Sequence, residues 1–207
     1  VQGYSNTWNI SNESSNGPDI EMLGELITNL KAFQNVDNTK IRLVGFSNGG
    51  ALALRAAVEI ADSAIDVIVC GGAQTNTDQY RSNQFWYPAD EELTGDAYAN
   101  DGYDTQTNTI PQRRILQVNG RLDTVVPYNG GNFVGMTFLS AANSAYAFAL
   151  KQGYTGNALS GSSYGAASTL VNYGNVIFLN DNVGHQMSTD MFRLLNNYLE
   201  NDYDITY

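Results

Sequence analysis

Four short apolar runs constrain this chain more than any other feature: residues 41–44 (Ile-Arg-Leu-Val), 65–70 (Ile-Asp-Val-Ile-Val-Cys), 115–118 (Ile-Leu-Gln-Val) and 176–179 (Val-Ile-Phe-Leu). Each has strand length rather than helix length and is rich in branched residues, which favours strands buried on both sides. Stretches of helical character separate several of them. Pro18 stands in a first-turn position, and Ile20, Leu23, Ile27 and Leu30 then recur at helical spacing. Residues 51–61 form an Ala/Leu-rich helix narrow enough to pack close to a sheet, 138–152 form another that ends at Gly153, and 188–200 close the chain. Strands alternating with helices predict an α/β domain: a mostly parallel sheet with helices on both faces, three layers in αβα order, joined by right-handed crossovers. The 207 residues suit one domain spanning 1–207.

Two stretches break the alternation. Residues 75–112 are long, polar and rich in Asn, Asp, Thr and Tyr, and read as an extended loop around one aromatic cluster, Phe85-Trp86-Tyr87. Residues 153–165 read as irregular.

Composition removes several function classes. The formal net charge of −11 repels nucleic acid and anionic membranes, so neither is expected as a partner. No stretch approaches the roughly 18 consecutive apolar residues of a membrane-spanning helix. Cys70 is the single cysteine, so no internal disulfide forms, and its apolar neighbours mark it as a core residue. One His and one Cys do not make an ordinary His/Cys zinc site, and no metal or cofactor is expected.

The chemistry gathers at Gly45-Phe46-Ser47-Asn48-Gly49-Gly50, which has the form G-x-S-x-G. A serine there sits on a cramped strand-to-helix turn, where flanking glycines leave room for neighbouring backbone. The helix N-terminus then offers unpaired N–H groups to developing negative charge. A second match, Gly161-Ser162-Ser163-Tyr164-Gly165, lacks a strand before it and a helix after it, and reads as a flexible connection. Ser47 follows the 41–44 strand and opens the Ala-rich helix, so it is the candidate nucleophile, with the Asn48 backbone N–H as oxyanion donor. A serine hydroxyl needs a base. His185 is the sole histidine and lies in a loop after the 176–179 strand, which makes it the candidate. The third member orients the imidazole and stabilises its charged form. Asp123, on the loop after the 115–118 strand, completes the order Ser, acid, His; Asp181 competes but stands only four residues before His185.

At these residues the chain resembles the secreted esterase branch of the α/β-hydrolases that includes polyhydroxybutyrate depolymerases, feruloyl esterases and acetyl xylan esterases. The likeness begins at Gln2-Gly3 and Trp8-Asn9, continues through Pro18-Asp19-Ile20 and the elbow at Ser47, and extends to Asp123 in D-x-V-V-P-Y with Gly130-Gly131 behind it. It ends at Gly184-His185. It implies an α/β-hydrolase fold, a secreted or periplasmic setting, and a small-molecule or polymeric ester as substrate. Two departures fall where the family lines its pocket: Asn119-Gly120 stands for the usual H-G before the acid loop, and Gln186-Met187-Ser188 for the usual Trp-Pro after G-H. Only 46 residues precede Ser47 and none is His, so the resemblance implies that the first strands and the H-G oxyanion loop lie outside these residues. One absent oxyanion donor typically costs about 10²–10³ in rate, so these residues alone are expected to be slow catalysts.

The expected reaction is carboxylic ester hydrolysis through an acyl-enzyme. A serine peptidase on the same fold is one alternative, and a non-catalytic polymer-binding relative is another. Aromatic candidates for substrate contact are Phe46, Trp8, Trp86 and Tyr128; for the Phe85-Trp86-Tyr87 cluster, packing in the core is the competing role.

Overall fold

A computed structural model of the protein describes residues 1–200 except 11, 12, 14–16, 90–101 and 134. In chain order the elements are α1 (Asp19–Lys31), β1 (Ile41–Phe46), α2 (Asn48–Glu59), β2 (Ile65–Gly71), β3 (Tyr80–Arg81), β4 (Gln84–Tyr87), β5 (Thr105–Thr107) and β6 (Arg114–Gly120). There follow β7 (Gly131–Phe133), β8 (Met136–Phe138), α3 (Ala141–Lys151), β9 (Ser162–Tyr164), β10 (Ser168–Asn172), β11 (Val176–Asp181) and α4 (Thr189–Glu200).

All four apolar runs are neighbouring strands of one sheet, in the order β1-β2-β6-β11-β10-β9. The first four pair in parallel, whereas β10 and β9 add on antiparallel, so the sheet is mixed rather than uniformly parallel. Alternate side chains divide it into two cores. Ile68, Cys70, Ile115 and Phe178 point to the face covered by α2 and α3, with α1 packed behind α2. Val67, Val69, Leu116, Val118 and Leu179 point to the other face, which is covered by Met191, Leu194 and Tyr198 of α4. Helices therefore lie on both faces, as expected, but unevenly. Burying one such aliphatic side chain contributes about 1.5–3 kcal/mol.

The α2 helix packs closest because its inner face is small: Ala56 and Ala57 are fully buried. Its last carbonyls are held by Arg113, which donates to Ile60 O at 2.7 Å and Ala56 O at 3.5 Å. The helix starts at Asn48, three residues before the expected start, because the turn at Ser47 leads straight into it.

Residues 75–112 are not one long loop. They carry a three-stranded antiparallel sheet, β3-β4-β5. Its first hairpin turns at Ser82 and Asn83, both at positive φ (51° and 60°), the backbone of a two-residue primed turn. Phe85 is fully buried and packs against Phe148 in a tilted pair with ring centroids 4.6 Å apart, so that part of the aromatic cluster is core. The 138–152 helix begins later than expected. Phe138 closes β8, and Ser140 caps α3 by accepting from Asn143 N at 3.2 Å. Ser163 is no flexible connection either: it pairs with Thr169 in edge strand β9.

Candidate active site

The parallel register brings the C-terminal ends of β1, β6 and β11 to one edge of the sheet. Phe46 pairs with Gly71, Gly71 with Val118, and Gly120 with Asp181. Open α/β sheets present their ligand sites at this edge. Ser47 follows β1 directly, Asp123 lies three residues beyond β6, and His185 four beyond β11.

Ser47 occupies φ 55°, ψ −125°, a conformation that a side chain rarely adopts. Its N–H donates to Gly71 O at 2.8 Å, and its carbonyl accepts the first helical bond, from Ala51 N at 3.0 Å. Gly45 makes the turn possible, since a Cβ there would lie 2.0 Å from Gly49 O. Gly49 itself is not crowded. Its nearest neighbour would be Trp8 Nε1 at 3.5 Å, so only the first glycine of the pattern meets the expected steric demand.

His185 joins the two other candidates. Its Nε2 lies 2.8 Å from Ser47 Oγ, and its Nδ1 lies 2.7 Å from Asp123 Oδ2. A carboxylate only accepts, so the imidazole proton sits on Nδ1 and Nε2 is left to accept from the serine hydroxyl. Asp123 is 6% exposed, and its other oxygen, Oδ1, accepts from Val125 N at 2.8 Å and Val126 N at 2.9 Å. Four acceptor and donor contacts thus fix the carboxylate and ring together. The two loops are also tied through backbone: Arg121 N donates to Asp181 O at 2.7 Å and Leu122 N to Val183 O at 2.9 Å. Gly120 permits that approach, because a Cβ there would meet Gly184 O at 2.2 Å.

Asp181, the competing acid, is turned to other work. Burial raises its carboxyl, but hydrogen bonds from Ser188, Asn182 and Ser168 and the nearby Arg121 charge outweigh burial and hold it below the usual value. The Cys70 thiol donates to Ala73 O at 3.3 Å and is pushed up to about 12 by complete burial, so it stays protonated in the core.

Asn48 supplies the first N–H of α2, where helices have no internal acceptor. Its side chain has a role that the sequence did not suggest. Oδ1 accepts from Trp8 N at 2.6 Å and Nδ2 donates to Trp8 O at 3.1 Å, clamping the N-terminal segment against the elbow. Tyr103 OH and Arg55 Nη1 hold the same segment farther along, through Ile10 O and Asn9 O.

Two openings lie at the site, one lined by Ser47 and the other by His185. A cleft of about 230 Å³ opens at Ser47 between α2, the acid loop and the β7–β8 hairpin. A groove of about 550 Å³ runs on the far side, past Phe46, His185 and Met187 to Phe192. Of the aromatic candidates, Phe46 packs on the His185 ring at 5.0 Å and borders this groove. Trp8 borders a third groove along the β1 edge, while Tyr128 stacks on Phe178 at 6.4 Å. Trp86 lies apart, under the Arg81 guanidinium at 3.9 Å. None of these four lines the Ser47 cleft. Asn119 does not line it either. It is buried and donates to Ala73 O at 3.2 Å and Gln74 Oε1 at 3.3 Å.

The cleft is instead walled by Val126 of the D-x-V-V-P-Y segment and by residues that the sequence did not single out as site candidates: Glu13, Phe133, Met136 and Phe138. The apolar Phe133, Met136 and Phe138 on either side of Gly135, behind Gly130-Gly131, were the available signal for the hairpin; Glu13 had none. No protein-family model, curated protein or solved structure matches this chain.

Proposed function

We propose that the protein is a serine hydrolase of the α/β-hydrolase type that cleaves carboxylic esters. One observation carries the reading: a serine on a positive-φ strand-to-helix turn, 2.8 Å from an imidazole whose other nitrogen is 2.7 Å from a buried carboxylate. As His185 Nε2 takes the proton from Ser47, the serine oxygen bonds to the ester carbonyl carbon. The carbonyl π pair moves onto oxygen, where the Asn48 N–H donates to it. Collapse of this adduct breaks the bond to the alcohol oxygen, which leaves with the proton from His185. Water then repeats the sequence on the acyl-enzyme, returning the serine hydroxyl and releasing the acid. Asp123 keeps the imidazole in the tautomer that accepts at Nε2 and balances its charge when protonated.

The ester reading is tested by side-by-side rates on p-nitrophenyl esters and peptide anilides. Ester turnover is expected to dominate and to fall by about 10⁴-fold or more in Ser47→Ala. Faster anilide cleavage would make the protein a peptidase, and ester turnover unchanged in Ser47→Ala would remove the serine from the mechanism.

A further inference from the structure

The Ser47 cleft, at about 230 Å³, exceeds the ~150 Å³ of an apolar cavity that accepts benzene. Ala51, Val126, Phe133, Met136 and Phe138 give it an apolar lining. The amides that touch it are already engaged by protein. Gln74 Nε2 donates to Leu139 O at 2.6 Å and Pro127 O at 2.8 Å, and Asn76 Oδ1 accepts from Gln79 N at 2.8 Å and Asp78 N at 3.0 Å. Among the described residues, the one charged side chain in the lining is Glu13, whose carboxylate accepts from Ile10 N at 2.9 Å and Asn48 Nδ2 at 3.2 Å. An occupant here gains by burying hydrocarbon, finds the Thr7 hydroxyl as a buried polar atom without a protein partner, and meets no cation among the described residues.

The β7–β8 hairpin forms one wall. It is seated by the bridge between Asn76 and Phe138 and by Thr77 N donating to Thr137 O at 2.8 Å. Phe133 and Met136 face each other across its two strands, and both border the cleft. We infer that the cleft seats an uncharged apolar group of the substrate ester, of hexyl or phenyl size. On this view Phe133 and Met136 set its length, and Glu13 disfavours carboxylate-bearing groups. The inference rests on Ser47 being the nucleophile.

Labelling of Ser47 by p-nitrophenyl phosphonates tests both layers separately. Ser47 Oγ bonds to phosphorus, p-nitrophenolate leaves with its bonding pair, and the serine proton passes to His185. One arm compares hexyl with methyl on phosphorus, which occupies the acyl side; the other compares them on the alkoxy oxygen, which occupies the alcohol side. Each buried methylene is worth about fourfold. A hexyl-to-methyl rate ratio of about ten or more is expected in one arm. Within Met136→Trp the ratio should fall toward one, and in Phe133→Ala the preferred chain should lengthen to octyl. A 5-carboxypentyl group should react more slowly than hexyl, with the gap narrowing in Glu13→Gln. A ratio near one in both arms, with Ser47 still labelled, overturns the cleft assignment alone. A high ratio that neither hairpin variant alters overturns the role of the hairpin. Failure of either phosphonate to label Ser47 overturns the nucleophile reading and the inference with it.

Discussion

Ser47 holds a strained backbone conformation at the turn from β1 into α2. A non-glycine residue at φ 55°, ψ −125° costs about 1–3 kcal/mol, and the pairing of β1 with β2 and the start of α2 hold it there. The reward is a hydroxyl presented at the sheet edge beside the first N–H of a helix. This cost is measurable apart from the reaction, because alanine removes the hydroxyl and keeps the strain, whereas glycine removes both. Ser47→Gly is therefore expected to be more stable than Ser47→Ala by about 1 kcal/mol in urea unfolding, after allowance for the extra freedom of glycine in the unfolded chain. An alanine variant as stable as the glycine variant would mean that the turn is unstrained.

At the scale of elements, the loops after β6 and β11 act as one unit, tied by the 2.7 Å bond from Arg121 N to Asp181 O. Asp181 anchors it from below, with its carboxyl held beneath the usual range by hydrogen bonds and the Arg121 charge that outweigh burial. A carboxyl depressed by folding stabilises the fold above its unfolded pKa of about 3.9, and that contribution disappears as pH falls through the lower folded value. Asp181→Asn should thus lower Tm by a constant amount from neutral pH to about pH 4, with the gap closing in stronger acid. A gap that widens toward acid would contradict the assignment. The sequence showed β2, β6 and β11 because strands buried on both faces must be apolar along their length, and it showed β1 because that run is apolar too, although it is partly exposed. It hid β3, β4 and β5, which are two to four residues long and partly exposed, so no run of alternation develops. It hid β10 for another reason: Ser168, Thr169 and Asn172 flank its two core residues, Leu170 and Val171, and leave too short an apolar run.

For the whole molecule, the decisive fact is convergence. Ser47, Asp123 and His185 are spread over 139 positions of the chain (residues 47–185), yet the parallel order β1-β2-β6-β11 delivers all three to one sheet edge. Their types and order were legible because a strand-to-helix serine, an acid on the loop after the 115–118 strand and a single histidine leave little choice beyond Asp181. The cleft was not, since it is assembled from Glu13, the acid loop and a hairpin far apart in sequence, and no local pattern encodes that meeting. Along the lateral edge of the sheet, β1 carries Val44 at 55% and Phe46 at 40% exposure, flanked by grooves on both faces. The central claim is that Ser47, with His185 and Asp123, forms one reactive unit. Its most direct test is peptide mapping by mass spectrometry after reaction with p-nitrophenyl methylphosphonate. The adduct is predicted on Ser47, absent from Ser47→Ala, retained in Ser163→Ala, and formed about 10⁴-fold more slowly in Asp123→Asn, where the imidazole adopts the wrong tautomer. An adduct on any other residue, or one that forms as fast in Asp123→Asn as in the parent, would contradict it.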